Sequence, residues 1–200
     1  LEFTLPHAGA DNRGVRRVFT IATNPADTYI RFGIKLYDRP STFKQALTKL
    51  QPGTKVAATR VAGDFVLPND DEEPLVFVAG GIGITPFVSF LRHLKETKER
   101  RNIVLFYAVS SVDEIAYKDL LQASGINVVV VVKGGSDSLP KQWEVVDALY
   151  ITADILENAV EDIHKRTVYV SGPPLMVNAV ARTAKKAGAH KVMTDHFSGY

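Results

Sequence analysis

Gly80, Gly81 and Gly83 fall within four positions near the end of the apolar run VFVAGGIGITPF, Val76–Phe87, and Thr85-Pro86 follows directly. Glycine loses more entropy on ordering than any other residue, so three at the top of a strand imply something that must approach the backbone closely. A helix starting at Thr85 offers unpaired N–H groups and about half a positive charge at its N-terminus. Glycines let a phosphate reach those groups without meeting a Cβ. Thr85 adds a hydroxyl, and Pro86 sits in the first helical turn, where its missing N–H costs little. The spacing is neither G-x-G-x-x-G nor that of a P-loop, so a tight strand-to-helix turn with no ligand is the alternative. A second turn of small residues, Ser171-Gly172-Pro173-Pro174 with Met176 beyond it, ends the strand-like run VYVS. Both turns follow strands of one expected parallel sheet and leave by the same edge, which suits an extended anion such as a dinucleotide.

A third stretch, VRRVFTIAT from Val15, places two arginines inside an apolar strand. Strand alternation puts Arg17 and Phe19 on one face and Arg16, Val18 and Thr20 on the other. An arginine beside an aromatic ring can hold a phosphate and a flat ring together. The alternative is a solvent-facing arginine next to a core phenylalanine.

The elements that must position these residues divide in two. Residues 1–69 are β-rich, with strand-like runs LEFTL, RRVFTIAT, TYIRFGIKLY and TKVAATRV, and one helix starting at Ser41 or Thr42 in STFKQALTKL. An antiparallel barrel is expected there. A polar, proline-bracketed stretch, LPNDDEEP, supplies a linker at 70–74. Over 75–200 apolar strands alternate with helices expected at Thr85–Lys98, Asp113–Ser124, Ala153–His164 and Pro174–Ala187. That pattern predicts an α/β doubly wound five-stranded parallel sheet, with Trp143 left in a loop-rich excursion.

Composition narrows the function classes. The chain has 200 residues, 46% hydrophobic and 23% charged, as in globular proteins, and a net charge of +2, which gives no reason to expect a nucleic-acid surface. With no cysteine there is no disulfide, thiolate metal site or cysteine nucleophile, and a reducing, cytoplasmic setting is expected. The five histidines lack metal-ligand spacing, so no metal site is expected, and no apolar run is long enough to span a membrane.

Taken in order, RVFT (Arg17–Thr20), GDFVLP (Gly63–Pro68), GGIGITPF, SGPPLM and the closing DHFSGY resemble the motifs of the ferredoxin–NADP reductase family of flavoenzymes. The resemblance implies a barrel that binds FAD, a sheet that binds NAD(P)H, and hydride transfer between the two cofactors. It implies that Arg17 pairs with the FAD pyrophosphate, Phe19 stacks on the flavin and Thr20 bonds near its N5, with Val18 in the same motif. Ser41 and Thr42 would hold FAD phosphates, while Ile34, Lys35 and Leu36 line the flavin side chain. NAD(P)H would place its pyrophosphate on Gly80–Pro86 and its nicotinamide near Ser171, Gly172 and Pro173, with Met176 from the same motif. Asp195 stands where relatives carry a glutamate near the flavin, and Phe197 or Tyr200 would cover the ring. The family's barrel has about two strands ahead of LEFTL, so the start of the FAD barrel is expected to be missing from this sequence. Many relatives carry the module behind a membrane or electron-transfer domain, so an electron-acceptor protein or such an upstream domain is the expected partner, with the cytoplasmic face of a membrane as one setting. Ser110, Ser111, Asp113 and Glu114 follow the second strand, where the adenosine ribose is expected; the acidic pair opposes a 2′-phosphate and favours NADH, while Lys118 and Lys133 keep NADPH open. A nucleotide-binding module without catalysis, and a reductase using flavin as a substrate, are the other readings.

Overall fold

The computed structural model describes residues 1–135 and 138–197. Six strands build its main sheet: β4 (Leu75–Gly80), β5 (Ile103–Ala108), β6 (Asn127–Val131), β7 (Glu144–Val146), β8 (Thr167–Gly172) and β9 (Lys191–His196). The sheet is wholly parallel, in the order β7-β6-β5-β4-β8-β9. A smaller antiparallel sheet has the order β2-β1-β3, from β1 (Glu2–Thr4), β2 (Arg16–Val18) and β3 (Ala57–Thr59).

The parallel sheet is covered on both faces, as its nearly continuous apolar strands require. Leu75, Phe77 and Ala79 point to one face and pack with Phe87, Leu91 and Leu121 of helices α2 (Thr85–Thr97) and α3 (Lys118–Ser124). Val76 and Val78 point to the other face and pack with Leu156, Val177 and Val180 of α4 (Ala153–Ala159) and α5 (Pro174–Lys186). Within this sheet the chain starts at β4, works outward to β7, and then crosses to β8 on the other side of β4. The strand order therefore reverses between β4 and β8, and clefts form at the carboxyl ends of such a pair.

Four expectations need correction. The sheet has a sixth strand, because Glu144–Val146 pairs with β6 in the excursion read as loop; three residues are too few to show periodicity, and Trp143, 6% exposed, anchors them in the core. The expected helix Asp113–Ser124 is broken: a 3-10 turn spans Val112–Glu114, Tyr117 takes φ +58°, and α3 begins only at Lys118. The helix expected over Ala153–His164 stops at Ala159, and a separate turn covers Ile163–Lys165. In the antiparallel half, TYIRFGIKLY forms no regular strand; its ladder contact is the Ile21–Phe32 bridge, and Ile30, Leu36 and Tyr37 are exposed.

The two halves are held together along α2. Ser89 Oγ donates to the Thr23 carbonyl at 2.6 Å, and Arg92 donates to that of Ala22. Phe65 joins Phe87, Phe90 and Tyr169 in a ring cluster, and the Tyr169 hydroxyl donates to the Val66 carbonyl at 2.7 Å.

Burial, ahead of other causes, pushes the hydroxyls of Tyr107 and Tyr169 up to about 12 from 10.0. Each holds its proton more tightly folded than unfolded, so its stabilising contribution is complete below pH 10 and is lost as pH rises towards 12. The urea midpoint is expected to fall across that window. Tyr107→Phe should flatten the fall by up to about 1.4 kcal/mol per pH unit, the limit for one proton; an unchanged slope would contradict the assignment.

Candidate functional site

The turns after β4 and β8 meet as the strand crossing requires, and glycine geometry shows why. The backbone leaves β4 through a 3-10 turn, Gly81–Ile84, and enters α2 with Pro86 in its first turn. A Cβ at Gly83 would overlap the Ser171 carbonyl of β8, and a Cβ at Gly80 would overlap the Met176 sulfur of α5. A Cβ at Gly172 would come within 3.2 Å of the Gly80 backbone. Gly81, at φ +51°, has open space beyond it. Contacts of the chain with itself thus account for Gly80, Gly83 and Gly172, whereas Gly81 faces outward, so close ligand approach is not the common cause that the sequence suggested.

Thr85 is buried, and its hydroxyl donates to the Ile82 carbonyl at 3.0 Å, which tightens the turn. Ser171 is fully buried, and its Oγ has no hydrogen-bond partner among the described residues. Such a group is costly unless it serves another purpose.

A cleft of about 430 Å³ opens over these turns, and Gly80, Gly81, Ser110, Pro173 and Met176 all line it. Lys35 and Tyr37 reach it from the antiparallel half, and Glu114 and Lys133 complete its polar wall. Glu114 Oε1 pairs with Lys35 Nζ at 2.7 Å, and its Oε2 accepts the Ser110 N–H at 3.4 Å. The hydrogen bond from Lys35 is the main cause holding the Glu114 carboxyl below its ordinary range.

A second cleft, of about 340 Å³, adjoins the first and shares Lys35 and Ile82 with it. Five cations line it: Arg13, Arg16, Arg17, Lys35 and Lys44. Val18, Phe19, Thr20, Ile34, Thr85, Asp195 and Phe197, all expected at a cofactor site, lie on its walls. The alternation read from the sequence holds over residues 16–19, where Arg17 and Phe19 are half-buried and Arg16 and Val18 exposed, but not at Thr20, which is half-buried because the strand ends at Val18. Arg17 is held by its own loop, with Nη1 donating to the carbonyls of Arg13, Gly14 and Arg16, and Nη2 pairing with Asp11 at 2.8 Å. Phe19 packs against Phe3, Phe32 and Phe43, which fixes its ring at the edge of the cleft. Lys44, whose ammonium is shifted down by burial and then by Arg13, donates to the Lys35 carbonyl at 2.7 Å. Tyr37 lies 5.3 Å from both lysine ammoniums.

Asp195 stands opposite Ser171 in the β8–β9 register and lines both this cleft and a larger one of about 970 Å³, which also takes in Pro86. Burial is the main cause that raises its carboxyl, with Asp64 adding to the shift; His196 and the Thr20 hydroxyl oppose it.

Six expected residues lie apart from these walls: Gly83, Ser171 and Gly172 are packed beneath the turns, and Leu36, Ser41 and Thr42 lie elsewhere. Ser41 Oγ caps the Lys44 N–H, Thr42 Oγ1 is engaged by His7 and the Asp11 N–H, and Leu36 is exposed. Tyr200 lies outside the described residues. Sequence reading missed Arg13, Lys44 and Tyr37; the basic run NRGVRR was a signal for the first, and nothing local marked the other two.

Residues 77–182 match the family model described as the oxidoreductase NAD-binding domain. The chain belongs to that family. The matched span carries both glycine turns and the parallel strands from β4 to β8. The chain is similar to the reductase component of propane 2-monooxygenase from Rhodococcus jostii, 27% identical over 190 residues, which are 91% of this chain and 51% of that protein. It spans about half the length of the first such curated relatives that it matches. Its fold is similar to that of an Amycolatopsis cytochrome P450 reductase, at TM-score 0.74 and 22% identity, covering 98% of this chain and 59% of that one. It is also similar to a ferredoxin NADP+ reductase from Neisseria gonorrhoeae with bound FAD and NADP, at TM-score 0.71 and 19% identity, covering 100% and 85%. These likenesses establish the two-part fold, a partial antiparallel barrel followed by a doubly wound sheet.

Substituting the glycines separates packing from ligand approach. Gly83→Ala should cost about 3 kcal/mol, the upper range for overpacking, because backbone blocks the new methyl. Gly81→Ala should cost about 1 kcal/mol, the penalty of a left-handed conformation. Urea unfolding of both variants checks the order, and equal losses would contradict it.

Proposed function

We propose that this chain passes hydride from NADH to FAD and sends the electrons on to an acceptor protein. The observation that carries this reading is the junction of the two clefts: the glycine cleft and the cationic cleft share Lys35 and Ile82, so ligands in them would lie side by side. The similar Neisseria protein is described with FAD and NADP bound, and the Rhodococcus relative is named as a reductase component. The proposed division is an FAD-binding part at 1–69, a linker at 70–74 and an NAD(P)-binding part at 75–200.

The residues present suit a flavin dinucleotide. Five cations face one carboxylate across the cationic cleft, which fits a pyrophosphate, and the fixed ring of Phe19 offers a flat surface beside them. A bound flavin supplies the chemistry, accepting a hydride and releasing electrons singly or in pairs. In this reading Arg17, tied to three carbonyls and Asp11, is a preorganised positive group that needs no reordering. Thr20 and Asp195 present a hydroxyl and a carboxyl where the cationic and larger clefts meet, and the raised carboxyl makes Asp195 the candidate to carry a proton there. The Ser171 hydroxyl is buried beneath the meeting turns and lines neither cleft, so it is assigned no ligand contact in this reading.

NADH is the proposed donor because Glu114 puts a carboxylate on the wall that carries Ser110, and a 2′-phosphate there would be repelled. Lys133 lies on the same wall and sets the limit of that preference, whereas Lys118 is turned to the Ser138 carbonyl. The acceptor is proposed to be a separate protein or an attached electron-transfer or membrane domain. No helix among the described residues is long and apolar enough to cross a membrane, and a cytoplasmic setting is proposed from the absence of cysteine.

Spectroscopy tests this directly. Protein incubated with FAD and desalted should stay yellow, and anaerobic NADH should bleach the flavin band. A preparation that takes up no FAD would overturn the oxidoreductase reading and leave a nucleotide-binding module. The kcat/KM for NADH should exceed that for NADPH by about tenfold, the effect of about 1.4 kcal/mol; the reverse preference would refute the choice of donor.

A further inference from the structure

The Lys35–Glu114 pair has a placement that packing does not require. Lys35 belongs to the antiparallel half and Glu114 to the turn after β5, so their 2.7 Å contact joins the halves across the mouth of the glycine cleft. Both side chains keep solvent contact, at 27% and 31% exposure. Glu114 engages two donors at once, the Lys35 ammonium through Oε1 and the Ser110 N–H through Oε2. Those donors line the same cleft as Gly81, the turn glycine whose Cα faces open space. The carboxylate therefore takes up the donors that a phosphate in this cleft would need.

We propose that Lys35 and Glu114 form a latch across the dinucleotide cleft, which the phosphates of the nucleotide open by displacing the carboxylate from Lys35. The proposal rests on the NAD(P)H reading above and adds to it an internal competitor that sets affinity. A partly exposed pair of single charges is weak. A pyrophosphate carries two negative charges and more acceptor oxygens, so it wins the exchange. Tyr37 under the Lys35 ammonium, and Lys44 on the Lys35 carbonyl, keep the lysine in place while it changes partners. Release of Glu114 also frees the Ser110 N–H, so one displacement yields two donors. The tie between the halves then runs through the ligand in place of the carboxylate.

Calorimetric titration of the full chain with ADP, adenosine and NADH tests the latch. Glu114→Gln keeps an acceptor for Ser110 and removes the charge. ADP and NADH should then bind about three- to fivefold more tightly, the scale of a partly exposed ion pair, and adenosine should bind as before. Lys35→Met should weaken ADP binding about tenfold, the loss of one charge-assisted contact. In the Lys35→Met background the gain from Glu114→Gln should shrink, because no ammonium remains to be released. A gain that is equal or larger there would mean that Glu114 acts by plain repulsion, and would overturn the latch. A Glu114→Gln protein with unaltered ADP affinity would overturn it too, while leaving the NADH reading intact if the wild type binds NADH. A wild type that binds neither ADP nor NADH would overturn both.

Discussion

The turn after β4 lies against the backbone of β8, and one added Cβ at Gly83 would force them apart. The rest of the site depends on this contact. The parallel ladder between β4 and β8 brings both turns to one edge where the strand order reverses, and the bare Cα of Gly83 lets the first turn lie flat against β8 there. Met176 rests on Gly80, the Phe197 N–H donates to the Gly172 carbonyl at 3.0 Å, and Asp195 is set opposite Ser171 by the same ladder. The glycines therefore shape the chain before they serve any ligand. A phosphate over Gly81 would use a surface that strand packing had already built.

The two halves meet through contacts of different character. Along α2 they are joined by buried rings and by carbonyls with specific donors, at Phe65, Tyr169, Ser89 and Arg92. Leaving such a carbonyl without its donor is costly, so this seam resists opening. Over the clefts the halves are joined by Lys35 and Glu114, which water reaches and weakens. A firm seam on one side with a weak tie on the other lets polar groups at the cleft mouth rearrange while the walls hold still.

Much of this was legible in the chain, for reasons that differ by element. Strands β4, β5, β6 and β8 are apolar on both faces, and only a doubly covered sheet can bury such runs. The face shared by Arg17 and Phe19 followed from alternation alone. Strand β7 was hidden because its three residues pair through backbone and its anchor, Trp143, precedes it. The break before α3 rests on Tyr117 adopting a left-handed conformation, which no residue type there announces. Lys44 and Tyr37 reach the clefts only because α1 (Thr42–Thr48) and the segment before it fold back beside Arg13, an arrangement set by distant contacts.

The distribution of charge carries the same logic further. On the proposed function two anionic ligands would lie in adjoining clefts, and their phosphates would repel one another across a narrow wall. Four of the five cations in the second cleft face that cleft alone, while Lys35 faces both. Lys35 is thus the positive charge best placed to screen one ligand from the other. Glu114 draws on that same charge from the nucleotide side. A carboxylate at this position keeps the wall near neutrality until phosphates arrive, and the repulsion is then met by a cation that has just lost its partner. Moving the acid elsewhere would leave Lys35 to be claimed by the flavin side, and the balance between the two clefts would be set by whichever ligand bound first.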